Sequence, residues 1–110
     1  MDSFYLIEQK CNTKCLTPNE RQLLNMDIHY VFVWLIETEQ RACPSLTDED
    51  VLFCCLTKLG LDNSIICRCM GSANKQAANQ RKYRVKKKMK AAQCDFLFDI
   101  IFTPAYVAFP

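Results

Sequence analysis

Two helix starts constrain this chain more than anything else in it. At Thr17-Pro18-Asn19-Glu20 the threonine can cap, proline suits the first helical position, and Glu20 completes a capping box. At Thr47 the pattern recurs with Asp50 in the fourth position and Leu46 available to staple against Val51, while Asp48, Glu49 and Asp50 together suit the positive end of a helix dipole. With only two glycines and four prolines in 110 residues, there is little room for long loops or many tight turns. The expected fold is all-α, one domain in the form of a helical bundle.

The first start predicts a long helix that stops near Ala42, because Pro44 disfavours helical geometry at Cys43 and cannot donate to the ladder. Leu24, Ile28, Val31 and Leu35 make one stripe, but Leu23, Met26, Tyr30, Val33 and Trp34 fall outside it. That is more apolar surface than a small domain can cover, so Tyr30, Val33 and Trp34 are the expected contacts of a homodimer. The second start predicts about three turns with Val51, Leu52, Cys55, Leu56 and Leu59 facing inward and Gly60 as the C-terminal cap. Asp62 or Asn63 opens a shorter helix through Ile65, Ile66, Cys69 and Met70, closed by Gly71. A further helix is expected from about Lys75 to Lys90, with Ala77 or Ala78, Val85 and Met89 on a narrow apolar stripe. CDFLFDIIF, Cys94 to Phe102, should form a short helix that packs back on the body. Pro104 ends it, and 105–110 are expected to be ordered only by contact with something else.

The charges are divided along the chain. Gln80 to Lys90, QRKYRVKKKMK, holds seven Lys or Arg among eleven positions, and no Asp or Glu occurs from Asn63 to Cys94. Nine positive groups in that stretch leave five basic and twelve acidic residues elsewhere, so a net charge of +2 separates into +9 and −7. A solvated helix face ordinarily mixes both signs, and this asymmetry points to a polyanionic partner.

Eight cysteines do not form a disulfide framework: Cys54 and Cys55 are adjacent, and Cys67 and Cys69 flank one residue. Met1 to Lys14 lacks the basic start and apolar run of a secretory signal, so a reducing, cytoplasmic location is expected. No CxxC knuckle or second histidine supports a metal, and His29 reads as a helix-surface residue. Lys and Arg near Cys67 and Cys94 would lower a thiol pKa, which is one route to redox sensing. No apolar run reaches the roughly 20 residues that span a bilayer, so no membrane partner is expected. Without a nucleophile elbow or a glycine-rich phosphate loop, neither a catalytic role nor a cofactor is expected.

Leu46 to Met89 resembles the DNA-binding domain of the LuxR/GerE type, and also sigma-factor region 4. The likeness rests on Leu46-Thr47, Asp50, Gly60-Leu61, Ile66, Met70-Gly71 and the basic RKYRVKKKM end. It implies a helix-turn-helix at 45–92, with a dimerisation helix in the N-terminal segment 1–44 and a helix and tail at 93–110. It further implies a bacterial transcription regulator that binds double-stranded DNA as a homodimer, with RNA polymerase or another regulator as a further partner. Lys75, Gln76, Asn79, Gln80, Lys82 and Tyr83 would then face bases, and Arg81, Arg84, Lys86 and Lys87 phosphates. Ile65 and Ser72 stand where the family commonly has an acid and a branched apolar residue. They support the alternative of a helical interaction module that kept the fold without DNA binding.

Overall fold

Seven helices and no strand make up residues 2–103, the part of the chain that the computed structural model describes: α1 (Asp2–Lys10), α2 (Pro18–Val31), α3 (Val33–Ala42), α4 (Asp48–Lys58), α5 (Asn63–Cys69), α6 (Gln76–Ala91) and α7 (Asp95–Phe102). Both capping boxes form. The Thr17 hydroxyl accepts from the Glu20 N–H at 3.2 Å and Glu20 accepts from the Thr17 N–H at 2.8 Å; the Thr47 and Asp50 pair repeats this at 3.1 and 3.0 Å. Helix α1 has no such signal and was not expected. It is pinned to α2 by Ser3, which donates to Asp27, and by the ion pair of Lys10 with Glu20.

The single long helix expected after Thr17 is two helices. Phe32 leaves helical geometry at φ −109°, ψ 26°, ending α2 and opening α3. The hydrogen bonding survives, since the Phe32 N–H reaches the Ile28 carbonyl and the Ile36 N–H reaches the Phe32 carbonyl, both at 2.8 Å. What changes is the buried face: Val31, expected inward with Leu24 and Ile28, is exposed, while Leu35, Ile36 and Glu39 turn into the core. In α4 the inward set also differs from expectation. Leu59 is 37 % exposed at the helix end, and Phe53 and Cys54 are buried alongside Val51, Cys55 and Leu56.

Helix ends follow the chemistry of the left-handed cap. Gly60 and Gly71 have φ of +86° and +87°. At Gly71 the full Schellman pair is present, with the Ser72 N–H donating to the Cys67 carbonyl at 2.8 Å and the Gly71 N–H to Arg68 at 3.2 Å. Helix α6 ends the same way without a glycine: Gln93 takes φ 59°, its N–H bonds the Lys90 carbonyl at 3.1 Å, and the Cys94 N–H bonds Met89 at 2.9 Å. Cys94 and Met89, the apolar pair that accompanies this motif, are both buried.

Helix α7 packs on α4 and α6, as its apolar run predicts. Phe102 meets Phe53 at a centroid distance of 5.9 Å and stacks on Phe98 at 4.3 Å. The expected stop at Pro104 and the reading of 105–110 lie outside the described residues. Among the described residues, no helix is long and apolar enough to cross a membrane.

Seven of the eight cysteines are buried, Cys15 being half-buried. They serve as small core residues. The low thiol pKa considered for Cys94 is not met, because burial pushes that thiol up.

Glu39 is the anomaly of the core. It is fully buried, and neither carboxylate oxygen has a hydrogen-bond partner, although the Cys54 thiol lies beside it. Desolvation pushes its carboxyl up to about 7. The unfolded chain gives up this proton near 4.5, so the native state holds more protons between the two values and loses stability as pH rises through that window. The loss should total roughly 3 kcal/mol by pH 8. Urea unfolding at pH 5 and pH 8 should therefore show Glu39→Leu gaining far more on the wild type at the higher pH. Gln93→Gly should add about 1 kcal/mol at either pH, because the side chain there gains nothing from its left-handed backbone.

Candidate nucleic-acid interface

Six residues, 70–75, connect α5 to α6, and side chains in that turn prepare the second helix. Ser72 accepts from the Asn74 N–H at 3.1 Å, and Asn74 accepts from the Gln76 N–H at 3.0 Å. An amide chain then links the two helices: Asn63 donates to Asn79 at 3.2 Å, and Asn79 to Gln76 at 3.5 Å. The buried residues of α6 are Ala78, Val85 and Met89. This decides the register left open between Ala77 and Ala78, since steps of seven and four return to one helix face.

The register sorts the candidate base-facing residues. Lys75, Gln76, Asn79, Gln80, Lys82 and Tyr83 are all exposed. Gln76, Gln80 and Tyr83 lie opposite the buried stripe, with Tyr83 63 % exposed. Lys82 is turned aside, its ammonium 5.2 Å from the centre of the Phe102 ring. Among the candidate phosphate-facing residues, Arg84, Lys86 and Lys87 are exposed; the Lys86 ammonium lies 5.5 Å from the Phe98 ring and that of Lys87 lies 5.6 Å from Tyr83.

Arg81 differs from the rest of that group. Its guanidinium donates to Asp50 at 2.7 Å and to Glu49 at 3.1 Å, so it fastens α6 to the start of α4. Two turns along the same helix face, Lys88 donates to the other Asp50 oxygen at 2.6 Å. Asp50 is 1 % exposed and also accepts from the Thr47 N–H. Burial works to raise its carboxyl pKa, but the bonds from Lys88, Thr47 and Arg81 outweigh that and hold it below the usual carboxylate range. Reading the sequence missed this role for Arg81 and Lys88, whose spacing of seven on one face was the available signal.

Arg68 is the third cation of the basic segment that points inward, donating to the Cys11 carbonyl at 3.1 Å. Lys75, Lys82, Arg84, Lys86, Lys87 and Lys90 remain without an ion-pair partner among the described residues. The three expected dimer contacts lie elsewhere, on α2 and α3, where Tyr30, Val33 and Trp34 are exposed. Among the described residues, no three His, Cys, Asp or Glu side chains converge on a point that could hold a metal. No family model, curated protein or solved structure matches the chain.

Removing one partner of a buried ion pair leaves the others uncompensated, typically at about 3–5 kcal/mol. Asp50→Ala should cost about 3 kcal/mol at neutral pH, toward the low end because Arg81 and Lys88 can swing to solvent. The native carboxyl lies below its unfolded value, so this contribution is present above the ordinary carboxylate range and fades as pH falls through the native one. Urea midpoints for wild type and variant should accordingly converge in acid.

Proposed function

We propose that the chain is a duplex-DNA-binding regulator that lays the outer face of α6 in the major groove, with no catalytic role. One observation carries this reading: six cations of α6 and its approach have no ion-pair partner among the described residues, and no acid interrupts them from Asn63 to Cys94. Releasing the counterions condensed on phosphates would supply most of the affinity. The inward pairing of Arg81 and Lys88 supports a division of labour, in which two cations hold the helix to the body and the others meet phosphate.

In this reading Gln76 and Gln80 read base edges, for which a side-chain amide has the right donor and acceptor pair. Arg84, Lys87 and Lys90 grip phosphates, and Lys82 and Lys86 reach them from the α7 side. Tyr83, at the centre of the exposed face, packs against sugar or base. The α5 and α6 pair acts as a helix-turn-helix, with the amides of Asn63 and Asn79 keeping its angle. Such a regulator would work in the cytoplasm, beside RNA polymerase or another regulator. The alternative, an interaction module that binds an acidic protein through the same face, differs in its salt dependence and in its indifference to duplex sequence.

About five phosphate contacts per subunit predict a log affinity against log salt slope of roughly −4 to −5 per subunit. Titrating labelled duplex at several salt concentrations should give that slope. Arg84→Ala with Lys87→Ala should weaken binding to every sequence and flatten the slope by about two. Gln76→Ala should cost about 1–3 kcal/mol on a selected site and leave non-specific binding nearly unchanged. Absence of duplex binding at about 50 mM salt, or a double variant that binds like the wild type, would remove the proposal.

A further inference from the structure

Where α2 runs into the first turn of α3, the exposed surface is uncharged. From Leu23 to Trp34 the exposed positions are Leu23, Met26, His29, Tyr30, Val31, Val33 and Trp34. Six are apolar and none carries a formal charge with histidine neutral, in a chain of which 24 % is charged. Tyr30 and Trp34 are the most open of them, at 77 % and 69 %. His29 turns part of its own polarity inward by donating from Nδ1 to the Asn25 carbonyl at 2.8 Å. Val31, the last residue of α2 before the break at Phe32, is exposed and belongs to the patch.

We propose that this face is a homodimer interface, its occupant a second copy of the same face related by a two-fold axis. Area supports that occupant: at these exposures the six apolar side chains present on the order of 800 Å² per protomer, which is what one partner contributes to a standard stable interface. Charge supports it as well. A surface without ions offers nothing to an acidic or basic partner, whereas its own copy meets it without burying an unpaired charge. Aromatic and methionine side chains at the centre, with Glu37 and Arg41 exposed one to two turns further on, give the apolar middle and polar rim of a specific interface. Helix α2 packs on α1, α3 and α4, and α3 on α2 and α4. Association through their open side therefore leaves α6 free, and the inference does not rest on the DNA-binding reading.

Trp34 is the only tryptophan in the chain and sits inside the patch, so it reports the event. The test is sedimentation equilibrium of the full chain without DNA between about 1 and 50 μM, with tryptophan emission recorded across the same range. A monomer–dimer equilibrium is expected, with emission moving to the blue as dimer forms. Val33→Glu and Tyr30→Glu, which retain Trp34, should each weaken association at least about tenfold and abolish the shift, with helical circular dichroism unchanged. Gln40→Glu adds the same charge on α3 outside the patch and should dimerise like the wild type. A wild type that stays monomeric throughout the range overturns the proposal, as does a dimer that both Glu variants leave intact. Monomers that bind zwitterionic phosphatidylcholine vesicles with the same blue shift overturn it in favour of a lipid surface. Because these measurements contain no nucleic acid, a failed duplex titration leaves their outcome unaffected.

Discussion

Asp50 fastens α6 to the start of α4 through a buried carboxylate. One buried carboxylate closes the capping box of α4 through the Thr47 N–H, and the same two oxygens take Arg81 and Lys88 from α6. Local and long-range order are thereby coupled: the helix start orients the carboxylate, and the carboxylate sets the rotation of α6 about its axis. That rotation puts Ala78, Val85 and Met89 inward, and it decides which cations are left on the outside. A hydrophobic stripe of three residues with an alanine at one end would fix the rotation less firmly by itself. Charged pairs have directional requirements that apolar contacts lack.

A second set of contacts ties the N-terminal helices to the turn before α6. The Leu16 N–H donates to the Arg68 carbonyl at 3.0 Å, while the Arg68 guanidinium returns to Cys11 at 3.1 Å, so the segment between α1 and α2 is stitched to α5 from both sides. Arg21 on α2 donates to the Leu16 carbonyl and lies directly over Gly71, where any Cβ would collide with its guanidinium. Gly71 is required by its positive φ, and a Cβ there would also displace the Arg21 guanidinium, the end of a flexible side chain, from its place over the turn. The N-terminal segment is part of the scaffold that holds the α5 and α6 pair in shape.

Local chemistry made much of this fold legible in the sequence. Thr17, Thr47, Asp62, Gly60 and Gly71 each mark a helix boundary by a side-chain or backbone property that acts within four residues, and each boundary is where that property puts it. The break at Phe32 is invisible to such reasoning because no proline or glycine marks it; beyond it the buried residues are Leu35, Ile36 and Glu39. Helix α1 lacked a start signal and depends on contacts with α2. On the candidate interface, the exposed amides and most of the cations were readable from residue type. The inward roles of Arg68, Arg81 and Lys88 were not, since a lysine facing an acid across the core has the same letter as one facing water. Only the partner, 31 to 57 residues away, distinguishes them.

The thiols give the molecule one more property. Cys11, Cys43, Cys54, Cys55, Cys67, Cys69 and Cys94 are shut away in the linker after α1, behind α3, in α4, in α5 and at the entry to α7, whereas Cys15 alone is partly accessible. An alkylating reagent added to the native protein would find one partly open target, and it would reach the others only as each region opened. Raised thiol pKa values at Cys54, Cys55 and Cys69 make those groups unreactive until solvent enters. The chain therefore carries a built-in set of clocks for local opening, distributed over nearly every packed layer, which mass spectrometry can read one cysteine at a time without any engineered label.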